Sequence, residues 1–433
     1  MERLRGHLAR PTDAASLAAF RAIFGALIAI GTVRLLAKGY VHEAFGVPRM
    51  FFAPWPFEDL IRPLSANGMV AVYVVIAVAS TTLSLGLATR LSAAIVCVLF
   101  TYAHFVDLTN YLNHYWLVTL LTGLMVVVPV HSTLSLDARF GFVTRREELP
   151  RWMLGIFQFQ IAVVYVFAGL AKLRPDWLFA AQPLRTWLLA NGDTPIVGGL
   201  FTKLWVAYVM SWAGAFFDLT VVGWLSWRRS RPFAYVAIVV FHLLTSWLFH
   251  IGMFPFFMMA ASLLFLDSDW PRRFVPRSTH AAPITARVPS VALALYAVVQ
   301  LALPLRARLY GGNVLWHEQG YRFGWNVMLM EKLGSVDLTV VDRTTGTRRH
   351  VPLREHLTRA QEKAMATQPD MILAFARHLA ERERASGHDV AVHADVWVVL
   401  NGRPARQLVD PGVDLGREHD GLADKRWILP APP

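Results

Sequence analysis

The sequence predicts an all-α polytopic membrane bundle of about nine transmembrane helices over residues 1–305, followed by a small α+β domain outside the membrane over residues 306–433. Three observations carry this expectation. Hydrophobic residues make up 55% of the 433 and charged residues only 17%, whereas soluble domains carry roughly a quarter charged residues. Apolar runs recur at close to the ~20 residues that cross a bilayer. Beyond about residue 306 the runs shorten and charges become frequent. The net charge of +12 does not point to nucleic acid, because the arginines fall in short loops between apolar runs and read as topology signals. The single cysteine, Cys97, leaves no intramolecular disulfide and no thiol-rich metal site.

In chain order, the expected spans are 16–37, 69–88, 91–106, 114–130, 154–173, 204–225, 233–249, 252–266 and 290–305. The first is long and lacks a small-residue cleavage pattern, so it is expected to insert and stay. Spans two and three meet at Thr89-Arg90, and spans seven and eight at His250-Ile251-Gly252. Turns this tight require antiparallel helix pairs. With the N-terminus inside, the arginine-rich segments around Arg10, Arg90, Arg145, Arg229 and Arg273 all fall on the inner side. That bias is the positive-inside pattern, and nine spans put the C-terminal region on the outer, periplasmic or lumenal side.

This orientation gathers unusual residues at one depth. Lys172 ends the fifth span in Tyr165-Val-Phe-Ala-Gly-Leu-Ala-Lys172, with no acidic neighbour in the local sequence. A lysine there either snorkels to the interface or stays buried, and an intramembrane ammonium is costly enough to mark a functional site. The turn His104-Phe-Val-Asp107-Leu-Thr-Asn110-Tyr-Leu-Asn113-His114 and His250 lie at the same outer face. Each has an ordinary reading, Asp107 as a helix cap and Asn110 and Asn113 as turn residues. Their shared depth favours a site. His242 lies deeper, eight residues before His250, and either lines a cavity or packs in the core.

In the outer segment, Ser335–Asp342 and Val390–Leu400 alternate as half-buried strands, with Asp342–Gly346 and Asn401-Gly402 as turns. Residues 354–386 read as two helices broken near Gln368-Pro369. No P-loop, dinucleotide fingerprint, nucleophile elbow or zinc-binding His/Glu spacing is present. What remains is a lipid-accessible cavity with a lysine, histidines and amides at its outer end. A lysine stripped of water can lose its charge, and a neutral amine is a competent base.

Phe167-Ala-Gly-Leu-Ala-Lys-Leu-Arg-Pro-Asp-Trp177, Asn113-His114, Phe241–Phe254, Tyr321-Arg-Phe-Gly-Trp-Asn-Val-Met328 and Asp395–Asn401 stand in the order found in a known family. Together they resemble the vitamin K-dependent gamma-glutamyl carboxylases, here in the form of a prokaryotic homologue, within the wider horizontally transferred transmembrane domain family. The resemblance implies an integral membrane enzyme that couples epoxidation of vitamin K hydroquinone (or menaquinol) by O2 to γ-carboxylation of peptide glutamate with CO2, without a metal. It implies that Lys172 is the base for the hydroquinone and that His114, oriented by Asn113, acts beside the reacting groups. Met253, Phe254, Tyr321, Trp325 and Met328 are then expected to wall the quinone and the glutamate-bearing peptide. Asp107, Asn110, His242 and His250 are the further candidates for substrate contact. The sequence departs from the family at Trp325-Asn326, where the family has Trp-Asp, and in its lone cysteine, where animal members form a disulfide. Animal members also continue well beyond the position of Pro433. The alternatives are a quinol epoxidase or peptide-maturation protein without glutamate carboxylation, and a non-catalytic peptide- or lipid-binding membrane protein.

Overall fold

A computed structural model describes residues 2–249, 251–278, 281–282 and 287–432. Among the described residues six helices are long and apolar enough to cross a membrane: α1 (Ala15–Ala37), α2 (Ala66–Leu85) and, after two shorter helices, α5 (Arg151–Lys172), α6 (Leu204–Ser226), α7 (Arg231–Phe249) and α9 (Ser290–Leu305, continued by a 3-10 turn). The shorter ones are α3 (Thr89–Phe105), α4 (Asn113–Val127) and α8 (Phe254–Ser262). The nine expected apolar segments are therefore all helical, but three fall short of full spans. At 1.5 Å rise per residue, the 15 residues of α4 cover only about 23 Å of a ~30 Å hydrocarbon core. The polar turn before α4 and the 3-10 turn that follows α8 at Leu263–Phe265 are what shorten them.

The helices pack as sequence neighbours, α1 on α2, α3 on α4 and α5 on α6. Polar side chains close their ends. Ser65 caps α2, and Gly86, left-handed at φ 71°, ends it. Arg21 of α1 is fully buried and donates to the carbonyls of Leu83, Ser84 and Leu134 at 2.7, 2.8 and 2.7 Å, satisfying the orphan acceptors at that helix end. A side chain at Gly86 would collide with this guanidinium. At the inner end, β1 (Pro11–Asp13) pairs antiparallel with β2 (Glu148–Pro150), and Arg272 bridges Asp13 and Glu147.

The outer domain is a four-stranded antiparallel sheet of β3 (Lys332–Asp342), β4 (Arg348–His350), β5 (Val390–Leu400) and β6 (Arg406–Gln407), in the order β4-β3-β5-β6. β3 starts three residues before the expected Ser335, because it pairs with β5 along its whole length, from Lys332 opposite Leu400 to Asp342 opposite Val390. Every second residue of β5 faces the core, where α11 (Pro369–Ala385) packs on it through Ile372, Phe375 and Leu379. The preceding helix, α10 (Arg359–Met365), opens on a Thr358–Gln361 capping box. As expected, the helical segment breaks at Gln368-Pro369.

Candidate functional site

Two adjoining cavities lie between the bundle and the outer domain, and they share the wall formed by Ile251, Phe254, Val327 and Met328. The first has a volume of about 350 Å³ and is lined by α5, α6 and α7, with Lys172, Asp218, Tyr165, His242 and Thr245 among apolar and aromatic side chains. The second, of about 480 Å³, is lined by Arg34, Asn113, His114, Tyr115, Met253 and Tyr321 among others. Both fall within the ~300–1,000 Å³ range of ligand pockets.

Lys172 does not snorkel. It is 5% exposed, and its Nζ lies 2.7 Å from Asp218 Oδ2 and 3.4 Å from the Ala168 carbonyl. The geometry has a local cause. A Cβ built at Gly169 would stand 2.8 Å from the Leu219 backbone nitrogen, so only glycine lets α5 approach α6 this closely, one turn from the ion pair. The Trp177 ring closes the pair from the outer side at 5.3 Å from Nζ and is itself fixed by donating to the Ser211 carbonyl at 2.7 Å. Asp218 was not among the expected site residues. The signal was present as a lone acidic residue in the apolar run 204–225, which the same cost rule that marks Lys172 would have flagged. The amine therefore does not rest on burial alone: it sits against a carboxylate, and the pair is net neutral.

His242 faces the same cavity, buried, with Nε2 3.0 Å from the Tyr165 hydroxyl, which also lies 3.2 Å from Ser262 Oγ. His242 Nδ1 has no partner among the described residues. His114 lines the second cavity, where its ring lies 5.5 Å from that of Phe254. Lys172 and His114 thus belong to neighbouring cavities with Phe254 between them.

The segment 321–328 roofs both. Phe323, Trp325 and Met328 are left-handed at φ 61°, 56° and 55°, a conformation that costs ~1–3 kcal/mol each outside glycine and persists only where surroundings enforce it. The enforcing contacts run to the turn before α4. Tyr111 accepts from the Phe323 N–H at 3.0 Å and donates to Asn113 Oδ1 at 3.1 Å, while Asn113 Nδ2 donates to the Asn326 carbonyl at 3.2 Å. Tyr321 donates to that same carbonyl at 3.1 Å. Asn326, where the family carries an acid, uses its side-chain amide to hold the Tyr321 carbonyl at 3.1 Å. A carboxylate could not donate this bond.

Of the remaining expected residues, Asp107, Asn110 and Trp325 line neither cavity. Asp107 accepts from Thr109 N at 2.9 Å and from Gln361 Nε2 of α10 at 2.7 Å, joining the outer domain to the bundle. Burial raises its carboxyl pKa, and these hydrogen bonds only partly oppose that. Asn110 accepts from the Tyr40 hydroxyl at 2.6 Å, and Trp325 is enclosed in the bundle core. His250 lies outside the described residues. A second clasp sits beyond Lys172: Asp176 takes Arg403 at 2.6 Å and Asn401 at 2.9 Å from the outer domain. Burial raises the Asp176 carboxyl, but the charged hydrogen bonds outweigh it and hold the pKa below the ordinary value.

A helical membrane bundle with a buried ion pair in an apolar cavity, closed by an outer α+β domain, defines the class of protein. Residues 9–270 match the family model for the HTTM domain and residues 285–433 that for the vitamin K-dependent gamma-carboxylase lumenal domain. The chain belongs to the HTTM family and, with both parts in this order, to its gamma-glutamyl carboxylase-like members. The second match begins before α9 and takes in that helix. No solved structure matches the chain.

Proposed function

We propose that the protein is a membrane carboxylase that couples oxidation of vitamin K hydroquinone, or a related quinol, by O2 to the addition of CO2 to glutamate side chains of a peptide on the outer side of the membrane. The observation that carries this reading is the Lys172–Asp218 pair, buried at the polar end of an apolar cavity. The two family matches support the same assignment. A reduced quinone bound there would supply all the electrons that O2 takes up, two in passing from quinol to quinone and two in epoxidation of its ring, giving the quinone epoxide and one water, and the oxygenation would generate the base that removes a glutamate γ-proton.

The chain's own residues have four tasks. The Lys172–Asp218 pair takes one proton from a quinol hydroxyl, passing from net neutral to net +1, so the cation it becomes faces the anion it has made. Tyr165 and His242, already hydrogen-bonded to one another, offer a second polar contact in the same cavity. Trp177, Phe217, Phe241 and Phe254 exclude water, without which a strong base would be quenched before reaching carbon. His114, across the Phe254 wall, offers an imidazole to the neighbouring cavity, with Asn113 holding the strained roof in register.

The test is purified protein in lipid nanodiscs given reduced vitamin K, O2, labelled CO2 and a glutamate-containing peptide. Epoxide together with label in the peptide is expected. Epoxide without label would reduce the activity to quinol oxygenation, and neither product would overturn the proposal.

A further inference from the structure

The two cavities differ in charge, and that difference divides the substrates between them. The cavity around Lys172 has a cation and an anion that cancel at 2.7 Å, and its other polar groups are neutral in their hydrogen-bonding roles. The cavity around His114 has one cation, Arg34, and no acidic residue among the described residues that line it. Arg34 stands in the last turn of α1, at the outer rim. Its guanidinium lies over the backbone of Gly252, 3.8 Å from where a Cβ would be, and no described residue forms a hydrogen bond or salt bridge with it. Two further donors face the same space without hydrogen-bond partners among the described residues, the imidazole of His114 and the hydroxyl of Tyr115.

An arginine at a helix end has an ordinary role as an interfacial anchor. Arg34 is exposed, as such an anchor is, and two features separate it from that role: it lines a cavity of about 480 Å³, and it lies against the Gly252 turn that forms part of the wall. Guanidinium recognises carboxylates through paired N–H donors, and such charge-assisted bonds are about twice as strong as neutral ones. The neutral cavity suits an uncharged planar ring, and the cationic one suits an anion.

We propose that the His114 cavity is the acceptor subsite and that Arg34 binds the side-chain carboxylate of the peptide glutamate at its rim, with the γ-carbon directed toward the Phe254 wall and the quinol on its far side. This rests on the carboxylase reading above and adds to it the residue that selects the acceptor. Arg34 is a binding residue in this scheme, and Phe254, shared by both cavities, is the partition across which the base must reach carbon.

Binding tests the proposal without requiring turnover. A fluorescent glutamate-containing peptide and its glutamine counterpart are titrated against the full chain in nanodiscs of zwitterionic lipid. The glutamate peptide is expected to bind at least about tenfold more tightly, the size of one good charge-assisted contact. Arg34→Gln is expected to erase that preference and Arg34→Lys to keep part of it, with elution profile and melting temperature showing that both variants are folded. Equal affinities for the two peptides, or an unchanged preference in Arg34→Gln, would overturn it. So would displacement of the peptide by added anionic lipid at equimolar amounts, which would assign the arginine to a headgroup phosphate. Preferential binding with no labelled product would leave the subsite standing and sink the carboxylase reading instead.

Discussion

The bundle buries opposite charges at both its inner and its outer end, and the two sets are built differently. At the inner end every acceptor is filled. Asp13 takes the Ala15 N–H at 2.8 Å, Arg272 Nη2 at 2.9 Å and Arg277 Nη2 at 2.9 Å. Glu147 takes Thr133 at 3.0 Å, Arg145 at 2.8 Å, the Ser278 N–H at 3.2 Å and Arg272 as well. At the outer end Asp218 accepts a hydrogen bond from Lys172 alone among the described residues, and both face a cavity. A saturated cluster can only hold structure together. An ion pair with open valences beside an apolar space can exchange a proton with whatever enters.

The largest loss is therefore expected at Lys172. Substitution by Ala should lower epoxide formation by about 10²–10⁴-fold, the usual contribution of a general base. Substitutions in the inner cluster should act on stability instead. Asp13→Asn removes the buried carboxylate that pairs with the buried Arg272 and the half-exposed Arg277, and breaking a buried pair costs about 3–5 kcal/mol. A lower melting temperature, with unchanged turnover per folded molecule, would bear this out.

A smaller effect is expected in the outer domain. His317 is buried near Lys332, and burial first and that positive charge second hold its pKa at about 4. Its Nδ1 also accepts the Gln319 N–H at 3.0 Å, which requires that nitrogen to be unprotonated. In the unfolded chain a histidine titrates near 6.5. The folded domain's pKa is the lower one, so its contribution is complete above about pH 6.5 and is lost as pH falls from there toward 4. The protection factors of the amides over residues 314–319, exchange rates corrected for their intrinsic pH dependence, should fall between pH 7.5 and 5, and His317→Gln should flatten that dependence.

Much of this arrangement was legible in the residues because membrane solvation is a harsh filter. Each of the nine apolar runs is helical among the described residues, six of them long enough to cross a membrane, and β5 declared itself through strict alternation from Val390 to Leu400. Lys172 stood out because charge is rare in such runs. Asp218 carries the same signal, a lone charge in an apolar run, but its pairing with Lys172 has no local signature, and only the α5–α6 contact at Gly169 reveals it. The shortened helices α4 and α8 were counted as spans because hydropathy ignores where a polar turn pulls the chain out of helix. The left-handed positions at Phe323, Trp325 and Met328 have no local signature, being held by Tyr111 and Asn113 some 210 residues away in sequence. The Phe254 partition is likewise tertiary: nothing in the residues separates Lys172 from His114.

The contrast between the two charge clusters is tested most directly by measuring quinol epoxidation per folded molecule in Asp218→Asn and Asp13→Asn side by side. Loss of at least about 10²-fold is expected for Asp218→Asn, from the general-base contribution, against a rate within about twofold of wild type for Asp13→Asn, a site remote from the chemistry. Equal rates in the two variants would contradict the assignment of the outer pair as the base.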